Sequence, residues 1–407
     1  MPPAVYLLGL AVFAQGTSEF MLSGLLSDIA RDMDVSLPAA GALTSAFAVG
    51  MVVGAPLMSV LSLRWSRRGA LLAFLAAFLL AHVVGALTHS FGVLLVTRVV
   101  GALANAGFLA VAVATAAALV APDAKGRATS VLLGGVTVAC VAGVPGGALL
   151  GQEWGWRAAF WAVVALSVPA LLAIPHSVPA DEAGAEVPDA RSELRALRDA
   201  RLLLTLLLGA LVNGATFCAF TYLEPLFTRV TGFGDSWVPV LLALFGLGSF
   251  VGVTLAGRVS DARPVPLLTT GGAALLAGWV LFALGAGHPA AALVLVFVQG
   301  GLSFAVGSTL ITRVLYAANG APTLAGGFAT AAFNVGAAVG PALGGLAIGA
   351  GLGYRAPLWA SALLVALAFV AAAAGASVLR GKVRGEARRK VSGEARGEAR
   401  GTRTPGS

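Results

Sequence analysis

The sequence predicts an all-α membrane protein whose twelve transmembrane helices form two six-helix bundles, with both termini on the cytoplasmic side of the cell membrane. Three observations carry this prediction. Only 11% of the 407 residues are charged and 58% are hydrophobic, where a typical soluble domain has roughly 25% charged residues. Apolar runs of about 20 residues, the length that spans a bilayer as a helix, recur twelve times along the chain. A displacement of 198 residues also lays glycines of the first half over glycines of the second.

The apolar runs, numbered here as spans 1 to 12, fall near 4–26, 38–61, 70–88, 91–119, 127–150, 156–175, 202–226, 237–257, 265–286, 289–315, 323–350 and 356–378. No alternating strand pattern competes with them, and a helix satisfies its own backbone groups in lipid. Mean hydropathy is +0.91, and 53 glycines suit helices that approach backbone to backbone. No basic stretch or small-residue cleavage site precedes span 1, so the first span is expected to be retained.

Basic residues set the orientation. With the N-terminus inside, the inner segments hold Arg64, Arg67, Arg68, Lys125, Arg127, Arg191, Arg195, Arg198, Arg201, Arg258, Arg263, Arg313 and nine residues of the tail. The outer segments hold Arg31, Arg157, Arg229 and Arg355, and Arg98 stays within span 4. That excess marks the cytoplasmic side. Trp154, Trp156, Trp237 and Trp359 then lie at the outer interface, where aromatic belts form.

Four regions follow. Residues 1–175 form an N-terminal six-helix bundle and 202–378 a C-terminal one. Between them 176–201 is an acidic and arginine-rich cytoplasmic linker, with a short helix expected over "RSELRALRDAR". Residues 379–407 are a basic tail, with GEAR at 385, 393 and 397, expected to be disordered. The tail holds nine of the 26 basic residues and three of the 18 acids, so most of the net charge of +8 belongs to it. A solvated tail beside the membrane explains that charge without a nucleic-acid partner.

Several chemistries find no support. None of the three lysines sits in a phosphate-binding GxxxxGK[ST] loop, so the chain is not an ATP-driven pump by itself. "GLGSFVG" (246–252) lies within a span and reads as helix packing. Cys140 and Cys218 fall in apolar runs and read as small buried hydrophobes, and the four histidines are too scattered for a metal site. Paired catalytic acids and nucleophile triads are missing as well, so no enzyme activity and no cofactor are expected.

The 198-residue displacement aligns Gly50 and Gly54 with Gly248 and Gly252. It also aligns Gly146, Gly147, Gly151 and "GWR" (155–157) with Gly344, Gly345, Gly349 and "GYR" (353–355). Two parallel six-helix repeats suit a rocking transporter with its site at the midplane between them.

Further stretches carry a family resemblance. The segment between spans 2 and 3 reads "SVLSLRWSRR", span 4 holds "TRVVGALANAG" and span 5 holds "GVPGGALLG". These resemble the twelve-span drug/proton antiporters of the major facilitator superfamily over residues 1 to about 378. In the first segment Arg64, Arg67 and Arg68 match the family pattern, while Ser59, Leu63 and Ser66 replace its Gly, Asp and Gly. "GRVSDAR" (257–263) keeps Gly257 and Asp261 at the equivalent places of the second half, which makes Asp261 the better candidate for a conformational latch. In span 5, Gly143, Gly147 and Gly151 line one helix face and Pro145 bends the helix. The resemblance reads that face as a seal against ion leak; ordinary close packing explains it equally.

"AVFAQGTSEFMLSGL", "GVLLVTRVVGALANAGFLAVA" and "LITRVLYAANGAPTLAGGFATAAFNVGAAVGPALGG" are similar to the chloramphenicol exporters of actinobacteria. That resemblance implies export of phenicol drugs in exchange for protons, by a monomer driven by the proton gradient. A sugar or nucleoside metabolite is the alternative cargo, and a passive facilitator or membrane-embedded enzyme is the reading from another class.

Glu19 lies well inside span 1, where a carboxylate costs at least ~2.5 kcal/mol. Burial favours the neutral form of an acid, which can still release its proton when water or a cation reaches it. A carboxyl exposed alternately to each side is a proton carrier. The competing role is a permanent pairing with Arg98 or a backbone amide. Arg98 either biases that proton equilibrium or clamps helices. The drug-contacting set expected at mid-span depth is Asn105, Asn213, Gln299 and Asn334 for hydrogen bonds, with Phe217 and Phe333 as ring surfaces. Each polar member serves equally well as a tie between helices. Glu224, beside Pro225, reads as a solvated rim residue.

Overall fold

A computed structural model describes residues 2–62, 65–121, 124–179, 195–259, 264–317 and 325–375. It contains twelve helices long and apolar enough to cross a membrane: Pro3–Gly24, Leu37–Ala55, Arg67–Leu87, Phe91–Ala118, Gly134–Trp154, Arg157–Ser177, Ala200–Phe220, Asp235–Arg258, Pro264–Gly285, Pro289–Ala317, Gly326–Gly349 and Ala356–Gly375. Each corresponds in order to one of the twelve expected spans. Among the described residues there is no strand. The tail, Arg64, Asp261 and most of the linker lie outside the described residues; of the linker helix, the turn Arg195–Arg198 is described.

Local chemistry explains where the helices begin and bend. Ser66 caps span 3, its hydroxyl accepting from the Gly69 amide at 3.2 Å, so the serine that replaces a family glycine starts the helix. Pro145 has no amide to donate back along span 5, and the turn before it widens into a π-helical segment over Ala139–Gly143. A second proline-linked widening, Leu267–Gly271, follows Pro264 and Pro266 in span 9.

The two halves repeat in packing as well as in sequence. In the first, span 2 packs on span 4 and span 6 on spans 1 and 3; in the second, span 8 packs on span 10. Span 12 meets span 7, where the Ser361 hydroxyl donates to the Ala215 carbonyl at 2.6 Å, and span 9, where Phe369 covers Gly272. The glycines aligned by the 198-residue displacement sit at equivalent contacts. Gly50 and Gly54 lie against Ala102 and Ala106 of span 4, and Gly248 and Gly252 against Phe297 and Gly301 of span 10. A side chain at any of the four would push the helices apart.

The halves meet along two seams, span 2 against span 11 and span 5 against span 8. Among the described residues the side-chain hydrogen bonds across these seams lie from mid-depth to the outer surface. The Ser45 hydroxyl donates to the Ala338 carbonyl (2.7 Å), the Ser249 hydroxyl to the Cys140 sulfur (3.7 Å) and the Gln152 amide to the Asp235 carbonyl (2.5 Å). Tyr222 presses on Gly41 and Gly345 between them. The outer side is therefore closed.

The aromatic belt departs from expectation at one position. Trp154, Trp237 and Trp359 are exposed, but Trp156 is only 3% exposed, its indole N–H donating to Asp32 at 3.1 Å. Two carboxylate–donor pairings at the outer face hold it under the bundle instead of at the lipid interface.

Candidate functional site

The residues around Glu19 explain why a carboxyl is tolerated in span 1. Glu19 is half-buried, between Ser18 and Phe20, both buried. Arg98 of span 4 is 1% exposed, and its charge must be compensated where it stands. It donates through Nη1 to the Ser18 hydroxyl and through Nη2 to the Ser18 carbonyl, both at 2.9 Å. Its planar face covers the Phe47 ring of span 2, 4.3 Å from the centroid, a cation–π contact that spreads the charge over an apolar surface. No ion pair joins it to Glu19 among the described residues.

A third member completes the cluster. His82 of span 3 is 3% exposed, stacked between Phe78 (4.1 Å between centroids) and Phe160 (5.6 Å). Its Nδ1 lies 2.8 Å from the Phe78 carbonyl, which can only accept, so Nδ1 carries the proton and Nε2 is the acceptor. The Ser18 hydroxyl donates to that Nε2 at 2.6 Å while accepting from Arg98. The order Arg98 to Ser18 to His82 to Phe78 is thus set by donor and acceptor roles alone. Neither contact of Ser18 was legible in the sequence, since Arg98 lies 80 residues and His82 64 residues away from it.

Span 5 closes this region on its other side. Gly143, Gly147 and Gly151 face Thr17 and Met21 of span 1 and Leu25 just after it, four-residue spacing against four-residue spacing. A Cβ on Gly147 would lie 3.2 Å from the Met21 Cβ. The glycine face therefore packs directly on the helix that carries Glu19.

The proposed drug-contacting polar residues are largely committed elsewhere. Asn213 donates to the Phe333 carbonyl (2.7 Å), tying spans 7 and 11. Gln299 is fully buried and donates to the Leu275 carbonyl (3.2 Å), tying spans 10 and 9. Asn105 reaches the Met51 sulfur at 3.5 Å, between spans 4 and 2, and Asn334 donates to Thr330 on its own helix. Phe333 packs on Gly209 of span 7. Phe217 lies at the seam, 5.8 Å from Phe20 and 6.2 Å from Phe220. Phe220 continues to Phe245 at 4.8 Å, so a ladder of rings crosses from span 1 into the second half.

Gln15 was not singled out from the sequence. It is 1% exposed, one helical turn before Glu19, and neither of its amide atoms has a hydrogen-bond partner among the described residues. Of the expected latch residues, Arg67 and Arg68 begin span 3 half-buried, and Gly257 is exposed near the end of span 8 with open space where a Cβ would project. Glu224 corrects an expectation. It is 9% exposed rather than solvated, because its carboxylate accepts from Ser27 across the boundary between the two halves.

Two equivalent bundles of six apolar helices, meeting along two seams with a carboxyl and a guanidinium at bilayer depth beside them, define a two-bundle membrane transporter. The chain belongs to the Major Facilitator Superfamily, whose family model matches residues 8–326. It is a multi-pass protein of the cell membrane. It is 59% identical over 375 residues to a chloramphenicol resistance protein of Streptomyces lividans, covering 91% of this chain and 96% of that one. To the inner membrane transport protein YdhP of Escherichia coli (strain K12) it is 36% identical over 349 residues, covering 85% and 89%. Its fold matches a bacterial homologue of the human lysosomal transporter Spinster, captured inward-facing and unoccupied, with a TM-score of 0.67 over 92% of this chain and 96% of that one. At 18% identity that likeness bears on the fold alone.

Proposed function

We propose that this chain exports chloramphenicol and related phenicol drugs from the cytoplasm in exchange for protons, by alternating access, as a monomer without ATP or a bound cofactor. The observation that carries the reading is the separation of Glu19 from Arg98. A permanently paired carboxylate has little reason to exchange a proton. Here the donors of Arg98 engage Ser18 and its face engages Phe47, so no ion pair occupies the Glu19 carboxyl. A carboxyl at bilayer depth without a fixed cationic partner can lose its proton as well as hold it.

The cargo follows from the 59% identity to the Streptomyces lividans resistance protein. Chloramphenicol is neutral, with a nitroaryl ring, two hydroxyls and an amide. The rings of Phe20, Phe217 and Phe220 at the seam suit the aryl group, and the unpartnered Gln15 amide suits a hydroxyl or amide. Such a mix of apolar wall and few polar groups is usual for small-molecule sites.

The test is accumulation of labelled chloramphenicol in a susceptible, pump-deficient host, with and without a protonophore. Accumulation should be low, rise when the proton gradient collapses, and stay high with Glu19→Gln although the protein reaches the membrane. Chemically altered drug would indicate an enzyme, and accumulation equal to the empty host would turn the reading to a metabolite exporter. Full resistance in Glu19→Gln would refute Glu19 as the proton carrier.

A further inference from the structure

A buried carboxyl other than Glu19 lies on the outer side, where the two halves meet. Glu224 sits on the short helical turn Leu223–Leu226 after span 7, in the second half of the chain. Its Oε2 accepts from the hydroxyl of Ser27 (2.6 Å) and from the backbone amide of Ser27 (3.2 Å), in the first half. Both donors converge on one oxygen, and no hydrogen bond to Oε1 is made among the described residues. A proton on Oε1 is therefore compatible with both bonds, since Oε2 then accepts as a carbonyl oxygen.

The charges facing it are all of its own sign. Asp28 faces it from the short helix Leu26–Asp32 of the first half, and Asp235 from the start of span 8. Asp28 and Asp235 also act on each other across the seam. Arg31 is paired with Asp28 at 3.3 Å, and Arg229, on the same segment as Glu224, is exposed. Closing this contact thus buries Glu224 between the two halves, where Asp28 and Asp235 disfavour its charged form.

We propose that Glu224 is a second proton-binding group, and that a proton taken up there from the outer side stabilises the closed outer seam. The sign follows from the balance at the carboxyl. Burial pushes Glu224 above the usual carboxylate range, the two Ser27 bonds pull the other way, and Asp28 and Asp235 add to the rise. In an open, solvated seam the carboxyl returns to an ordinary value of about 4.3. The closed form binds the proton more tightly, so proton binding favours closure. Its place in an exchange cycle rests on the antiport reading above: a proton arriving from outside would drive the transporter toward the side where drug is loaded.

The test uses the full-length chain in lipid nanodiscs, with spin labels at Trp154→Cys and Leu352→Cys, exposed outer positions in opposite halves. Distances are measured from pH 8 to pH 5 without drug or gradient. The closed-to-open ratio should rise on acidification, tenfold for each unit by which closure raises the proton affinity. Glu224→Gln should abolish the dependence, and Glu19→Gln should retain it. Ser27→Ala removes a donor that favours the charged form, so the transition should move to higher pH; Asp235→Asn should move it lower. A distance that ignores pH, a dependence surviving Glu224→Gln, or one lost in Glu19→Gln overturns the proposal. Should drug flux prove insensitive to the proton gradient while these distances still titrate through Glu224, the antiport reading fails and the proton site stands.

Discussion

Replacing Ser18 by alanine removes one oxygen and disturbs two buried partners at once. Arg98 Nη1 loses its acceptor and His82 Nε2 loses its donor, while Nη2 keeps the Ser18 carbonyl because the backbone is unchanged. Arg98 Nε already has no partner among the described residues, so the guanidinium has little reserve. Leaving a buried donor unsatisfied costs about 1–3 kcal/mol, with charged groups at the upper end. Ser23→Ala is the control on the same span: its hydroxyl bonds the Phe20 carbonyl three residues back and serves no other side chain. Hydrogen bonds in membrane proteins average about 0.6 kcal/mol by double-mutant cycles, and Ser23 should fall there. Ser18→Ala is therefore expected to cost about 2–3 kcal/mol. The assay is reversible unfolding in mixed micelles by SDS titration. His82→Ala added to Ser18→Ala should cost clearly less than the sum of the single changes, since the two share one contact. Equal losses for Ser18→Ala and Ser23→Ala, or strict additivity with His82→Ala, would refute the network as a single unit.

Gly246→Ala tests the seam between spans 5 and 8. Its Cβ would lie 2.5 Å from the Cys140 carbonyl oxygen and 2.7 Å from the Val141 Cα, a clash that exists only while the seam is closed. Overpacking costs about 1–3 kcal/mol, so the closed-to-open ratio should fall roughly 5–150-fold; unchanged distances between the labels at 154 and 352 would contradict this. Asp32 tests the outer face, where it accepts from Arg157 and Trp156. The Arg157 guanidinium holds its carboxyl below the usual carboxylate range. A depressed folded value means stabilisation present above an unfolded value of about 3.9 and lost as pH falls through the lower folded one. Asp32→Asn should lower the melting temperature at pH 7 and narrow its gap to the parent protein at pH 3; a gap that persists at pH 3 would sink the assignment.

The sequence by itself determined the membrane architecture. A helix needs about 20 apolar residues to cross a bilayer and satisfies its backbone internally, so span number, order and orientation are properties of contiguous runs and their flanking charges. The packing of Gly50, Gly54, Gly248 and Gly252 was legible for a related reason: close approach of two helices needs residues without side chains, four apart, and spacing along one helix is visible in one strand of text. The face of Gly143, Gly147 and Gly151 belongs with them, although its partners Thr17, Met21 and Leu25 do not. Partner choice is where tertiary structure decided. Asn105, Asn213 and Gln299 are polar at depth and therefore need acceptors, but which neighbour supplies them depends on how each helix is rotated against the next. The same rotation gave Arg98 to Ser18, and Ser18 to His82, rather than Arg98 to Glu19. It also brought Glu224 against Ser27, 197 residues away, and turned an apparent rim carboxyl into a buried one. A lone serine or histidine in an apolar run has no periodicity to betray its contacts, and only the folded arrangement of helices supplies them.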